Sequence, residues 1–139
     1  MIVIAADHGG YKLKNYIISI LHKKYEIIDV GTYDTDPVDY PDICKKMINI
    51  LQNVGKNTIG IIICGTGIGV SICCNRFIDM NCALCHDNYT AKMARKHNNA
   101  NILALGGNVV KPAQAIDIIE IFITTNFEGG RHQQRLNKI

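Results

Sequence analysis

The chain has 139 residues, 47% of them apolar and only three prolines, which is enough for one ordinary domain with a buried core and too little for two. Its net charge of +3 comes from eleven lysines and four arginines scattered along the chain, which excludes the dense basic stripe of a nucleic-acid binder. No apolar run approaches about 18 residues, and the start MIVIAADHGG turns polar at Asp7 without a basic leader, so a cytoplasmic protein with neither signal peptide nor membrane span is expected. Six cysteines inside apolar segments then read as buried thiols rather than a disulfide framework.

In chain order, MIVIAA reads as a first strand and is followed by Asp7 and His8. A helix with Leu13, Ile17, Ile20 and Leu21 on its apolar face comes next, then a second strand, EIIDVG, closed by Gly31 and Thr32. Ile43, Met47, Ile50, Leu51 and Val54 repeat the same helical spacing. TIGIIICG is a third strand, ending at Cys64, and a helix over about 69–77 follows it. MNCALC, a helix over 87–98, ILALGG, and a helix over 112–127 opened by Pro112 complete the pattern. Nearly continuous β-branched runs alternating with amphipathic helices predict an α/β fold with a five-stranded parallel sheet between two helical layers. Residues 1–139 are expected to form a single domain ending in an arm over about 127–139.

In such a sheet, ligands bind outside the carboxyl ends of the strands. The segment ICGTGIGVS, residues 63–71, sits at that edge. Gly65, Gly67 and Gly69 form the turn into a helix and expose backbone amides to an anion. A helix N-terminus also favours thiolate over thiol, which makes Cys64 a usable base or nucleophile. One reading is a dinucleotide site with Asp87 as the ribose-binding acid. The fingerprint, however, follows the third strand rather than the first, and Val70 or Ser71 stands where its last glycine belongs. The other reading uses Cys64 for proton transfer, with amides holding a developing enolate oxygen. A tight turn carrying a buried thiol is the plain structural alternative.

CALCH, residues 82–86, matches a haem-attachment pattern, but strand alternation sends Cys82 and Cys85 to opposite faces of the sheet, so it reads as core. No second ligand pair supports zinc, and the adjacent Cys73 and Cys74 read as helix packing. His22 lies among lysines on a helix. His86 either lines the pocket or starts a loop. His97 and Asn98 close the fourth helix, where they also serve as a dipole partner and a cap. In EGGRHQQR, Arg131 and Arg135 lie one helical turn apart with His132 beside them, a spacing that lets two guanidinium groups converge on one phosphate.

Taken together, AADHGG, DYPD at 39–42, CGTGIGVS followed by Asn75, RKHNNANILALGG and EGGRHQQR resemble the type B ribose-5-phosphate isomerases over essentially the whole chain. The relatives of that family include allose- and galactose-6-phosphate isomerases. The resemblance implies a Rossmann-like three-layer α/β/α sandwich. It further implies an enzyme without metal or cofactor that interconverts D-ribose 5-phosphate and D-ribulose 5-phosphate through a cis-enediolate, within the pentose phosphate pathway. It also implies a homodimer with a shared active site, in some members paired into a tetramer. Cys64 matches the proton-shuttling base; Val70 stands where some members carry a Glu. The amides from Gly65 to Gly69 match the anion hole, Thr66 matches a residue that assists proton movement at the substrate oxygens, and Ser71 falls among the substrate-binding positions. Asp7 and His97 match ring-opening residues, Tyr40 and Asn98 line the pocket, and His8, Arg131 and Arg135 match phosphate ligands. Asn108 stands where many members have an Arg that helps bind phosphate.

The fourth helix runs antiparallel to the strands and is about 18 Å long, so its end lies near the edge of the sheet opposite Cys64. His97 and Asn98 are therefore expected from the second subunit. A six-carbon sugar phosphate is an alternative substrate, and a non-enzymatic sugar-phosphate or nucleotide sensor is the alternative from another class.

Overall fold

Strands β1 (Ile2–Ala6), β2 (Ile27–Asp29), β3 (Ile59–Cys64), β4 (Cys82–Leu84) and β5 (Ile102–Gly106) form one all-parallel sheet in the order β2-β1-β3-β5-β4. The computed structural model describes residues 1–55 and 57–139. β1 and β5 are buried along their whole length and β3 along all but its first residue, as strands covered on both faces require. The edge strands β2 and β4 are half-buried.

Among the described residues five helices cover the sheet, α1 (Tyr11–Leu21), α2 (Tyr40–Asn53), α3 (Ile68–Cys74), α4 (Asn88–Asn98) and α5 (Pro112–Thr124), and a sixth, α6 (Arg131–Leu136), packs on α4. Strand alternation feeds two cores. Ile2, Ile4, Ala6, Ile61, Ile63, Leu103 and Leu105 face α1, α4 and α5, where they meet Leu13, Ile17, Ala94, Ile118 and Phe122. Val3, Ala5, Ile62, Cys64, Ile102 and Ala104 face α2 and α3, meeting Ile43, Met47, Val70 and Cys74. The fold is thus the expected three-layer α/β/α sandwich, and Cys85 and Cys82 do fall in opposite cores. Among the described residues no helix is long and apolar enough to cross a membrane.

Three local readings change. Ile20 is 45% exposed, and the fourth buried position of α1 belongs instead to Lys14. The Lys14 ammonium lies 2.6 Å from the Asp29 carboxylate and over the rings of Tyr11 and Tyr33, so charge pairing and aromatic faces replace its water. α3 stops at Cys74 rather than near 77, because Asn75 leaves the helix to clamp β4: its side chain bonds both the N–H and the carbonyl of Cys82. α5 ends at Thr124, before the expected 127, where Thr125 turns extended. α4 starts at a capping box in which Asp87 accepts from the Thr90 N–H at 2.7 Å, and it ends at Asn99 in the left-handed region.

After β1 the chain moves outward to β2, then returns to the other side of β1 for β3. Their carboxyl ends therefore flank the topological switch point, where open α/β sheets bind ligands. The register pairs Ala6 with Ile63, which sets Asp7 beside Cys64.

Candidate functional site

Three loops meet at that switch point with almost no side chain between them. The Asp7–Gly10 turn is pinned by the Gly10 N–H, which donates to Asp7 Oδ1 at 3.1 Å. The loop after β5 is tied to the loop after β3 by the Gly107 N–H on the Cys64 carbonyl (2.8 Å) and the Asn108 N–H on the Gly65 carbonyl (3.0 Å). A Cβ at Gly107 would stand 2.7 Å from the Gly9 carbonyl oxygen, so backbone packs directly on backbone here.

Cys64 ends β3 with 6% of its surface exposed, and the Gly67 N–H donates to its Sγ at 3.0 Å. Gly67 adopts φ +78°, and a Cβ would strike Leu84 Cδ1 at 2.5 Å, so no other residue fits this turn unchanged. The loop is less open to an anion than its glycines imply. The Gly67 amide is spent on sulfur, and the Ile68 amide donates to Thr66 Oγ1 at 3.3 Å. Ser71 Oγ turns back onto the Ile68 carbonyl at 2.8 Å. The Tyr40 ring lies across the loop, close enough that a Cβ on Gly69 would come within 2.9 Å of it.

His8 is exposed beside Asp7, and its Nδ1 accepts from the Val38 N–H at 3.2 Å. In the neutral ring this places the proton on Nε2, a donor suited to an anion. The Asn108 amide nitrogen comes within 3.2 Å of where a Gly65 Cβ would stand, so position 108 borders the same loop. The remaining thiols pack rather than react. Burial pushes Cys73 and Cys85 up to about 11, and Cys44 is pushed up by its hydrogen bond with Cys74 and then by burial.

His97, Asn98, Arg131 and Arg135 are elsewhere. After α4 the chain runs through Asn99–Asn101 into Ile102, whose register partner is Gly60 at the start of β3, while Cys64 pairs with Gly106 at the end of β5. Four residues of strand, roughly 13 Å, separate those levels. α6 packs on α4, with the His132 ring stacked on His97 at 4.2 Å, so both arginines lie at the His97 end. Glu128 completes the group: its carboxylate binds Lys96 at 2.5 Å, and its backbone N–H donates to the Lys96 carbonyl at 3.0 Å. Sequence reading left Glu128 out, although its i, i+4 spacing to His132 carries the signal. It also left out Lys14, whose partner Asp29 is distant in the chain. His22 caps α1 and His86 is exposed in a loop, its carbonyl held by Gln114.

The chain thus carries two clusters. One, at the carboxyl edge, contains Asp7, His8, Tyr40, Cys64, Thr66 and the glycine loop; the other, at the amino edge, contains His97, Asn98, Arg131 and Arg135. The larger groove, about 990 Å³ and lined by Met1, Tyr25, Arg95 and Asn101, contains none of these residues. A smaller one of about 450 Å³ includes Asn98 and Leu136.

The profile of the Ribose/Galactose Isomerase family matches residues 2–139. The structure of a Clostridium thermocellum ribose-5-phosphate isomerase B superimposes with a TM-score of 0.94 at 45% identity, covering 99% of this chain and 93% of that one. The Mycoplasma genitalium ribose-5-phosphate isomerase B, solved with bound ribulose-5-phosphate, gives a TM-score of 0.92 at 39% identity, with 99% and 91% covered. The Escherichia coli ribose-5-phosphate isomerase B is 37% identical over 99% of this chain and 93% of that protein.

Proposed function

The chain belongs to the ribose/galactose isomerase family, and we propose that it interconverts D-ribose 5-phosphate and D-ribulose 5-phosphate through a cis-enediolate, with Cys64 as the base. The observation that carries this reading is the Cys64 sulfur at the switch point, receiving the Gly67 N–H at 3.0 Å. A thiolate at this position serves as the base that removes a proton adjacent to a carbonyl. The similarity to enzymes named for this reaction supports the substrate.

Asp7, fixed by the Gly10 N–H, and His97 move protons at the ring oxygen and the anomeric hydroxyl as the furanose opens. The Cys64 thiolate takes the C2 proton of the open aldose, and the C1 carbonyl oxygen gains negative charge. Loop amides near Gly65 and Gly69, with the Thr66 hydroxyl, stabilise that charge as fixed dipoles. The O2 proton passes to O1 with the Thr66 hydroxyl assisting, the thiol returns its proton to C1, and C2 becomes the ketone. His8, Arg131 and Arg135 hold the phosphate, while Tyr40, Ser71 and Asn98 line the pocket. The chemistry calls on no metal or cofactor.

The two clusters cannot serve one substrate within one chain. The reading therefore pairs the Cys64 half of one chain with the His97–Arg131–Arg135 half of a second copy, in a homodimer with two shared sites. Six free thiols suit a reducing cytoplasm.

The test is conversion of ribose 5-phosphate by the purified protein with EDTA present, beside Cys64→Ala. Parent turnover that survives EDTA and collapses in the variant is expected. Equal turnover in both proteins would remove Cys64 as the base, and a folded parent with no turnover on ribose or allose 6-phosphate would remove the reaction.

A further inference from the structure

Three donors converge between the arm and α4. The imidazoles of His97 and His132 stack with centroids 4.2 Å apart and planes 11° from parallel. The Nε2 atoms of both lie near the same carboxylate oxygen, Glu128 Oε2, at 3.8 Å and 3.6 Å. These separations are too long for hydrogen bonds. Even so, one ligand atom from each of the three residues falls within 4.8 Å of the others. The His132 side chain is only 7% exposed, so its ring is fixed by packing. Lys96 holds the other oxygen of Glu128, which orients the carboxylate and leaves Oε2 to the histidines.

We propose that His97, His132 and Glu128 form a binding site for a borderline divalent transition cation of the Zn²⁺ class. Two imidazole nitrogens and a carboxylate oxygen are the donors such ions take, at about 2.0–2.2 Å; because stacked rings hold their lone pairs parallel, the more exposed His97 ring must tilt to bring its Nε2 onto an ion held by His132. The solvent side stays open for a fourth ligand. The positive groups facing the site, Lys96, Arg131 and Arg135, oppose any cation held by charge alone. The donor set, and not the surrounding charge, selects the ion: Mg²⁺ and Ca²⁺ take oxygen ligands and find a single carboxylate here, whereas ions of the Zn²⁺ class bond to the two imidazole nitrogens.

The functional consequence rests on the reading above, which gives His97 to the substrate. An ion on His97 takes a group the reaction needs, so Zn²⁺ inhibits and a chelator restores turnover.

Calorimetric titration of the purified protein with Zn²⁺ at neutral pH, beside His132→Ala, Glu128→Gln and Cys64→Ala, tests the site. One ion per chain is expected, weakened about tenfold or more in His132→Ala and Glu128→Gln and unchanged in Cys64→Ala. Co²⁺ in the same site should give a spectrum without a thiolate charge-transfer band. Absence of saturable binding overturns the proposal, as does binding that persists in Glu128→Gln but vanishes in Cys64→Ala. Inhibition is read separately: saturable binding with undiminished turnover leaves the metal site standing and removes His97 from the proposed reaction.

Discussion

The backbone N–H of Gly67 donates to the sulfur of Cys64 across 3.0 Å, so the turn that starts α3 is also the turn that holds the thiol. Gly67 sits at φ +78° with Leu84 Cδ1 and the Leu105 carbonyl carbon where a Cβ would go. Gly67→Ala should therefore lower stability by about 2 kcal/mol or more, from left-handed strain plus overpacking. Because the amide must move, turnover should fall further than the unfolded fraction explains. Urea denaturation and kcat on the same sample separate the two losses; a stable variant with parental kcat would show that the amide does not act on the sulfur.

Cys64 and His97 stand at opposite edges of one sheet, which makes a complementation test decisive for the proposed shared site. Cys64→Ala and His97→Ala proteins, each inactive, should regain activity when mixed and allowed to exchange subunits. A random mixture contains half heterodimers, each with one intact site, so recovery near a quarter of parental activity is expected. Verified heterodimers without activity would place both residues in one chain's site.

Phosphate affinity should depend on Arg131 and Arg135 more than on any single loop amide. Loss of one charge-assisted contact costs roughly 1.5–3 kcal/mol, so Arg131→Ala or Arg135→Ala should raise KM about ten- to a hundredfold, with smaller changes in kcat. Asn108 borders the Gly65 loop without a charge. Asn108→Arg should lower KM in steady-state assays. An unchanged KM would mean that position 108 does not face the phosphate.

The start of α4 should be acid-sensitive. Asp87 is held below the ordinary carboxylate range by the Thr90 backbone N–H and then by the Thr90 hydroxyl. Its folded value is depressed, so the contribution is complete above the unfolded carboxylate range and is lost as pH falls through the folded value. Asp87→Asn keeps a cap acceptor without titrating. Stability of Asp87→Asn should show a shallower fall on acidification than the parent, measured by urea midpoints across the acid range; parallel curves would exclude the cap as the source.

The layers were legible because strands buried on both faces are written as unbroken apolar runs. The carboxyl-edge residues were legible because α/β topology sends every strand end to one rim. Lys14 escaped that logic: hydrophobic periodicity treats lysine as solvent-facing, while its burial depends on Asp29 and Tyr33, which only the fold brings near. Ile20 failed in the complementary way, fitting the period but facing water at 45% exposure. The arm could not be placed from sequence, since six residues of helix after two glycines carry no period long enough to fix a face. The His97–His132 stack and its contact with Glu128 became visible only with α6 seated on α4.

In the homodimer proposed above, the separation of Cys64 from His97 also governs how output scales with abundance. On that reading a solitary chain carries two unfinished halves, whereas a two-fold pair completes both sites in a single association event. When chains are dilute relative to their pairing constant, pairs grow as the square of the chain concentration, so halving the protein leaves about a quarter of the flux. Dosage then acts as a threshold control, steep at low expression and proportional once nearly every chain has found a mate.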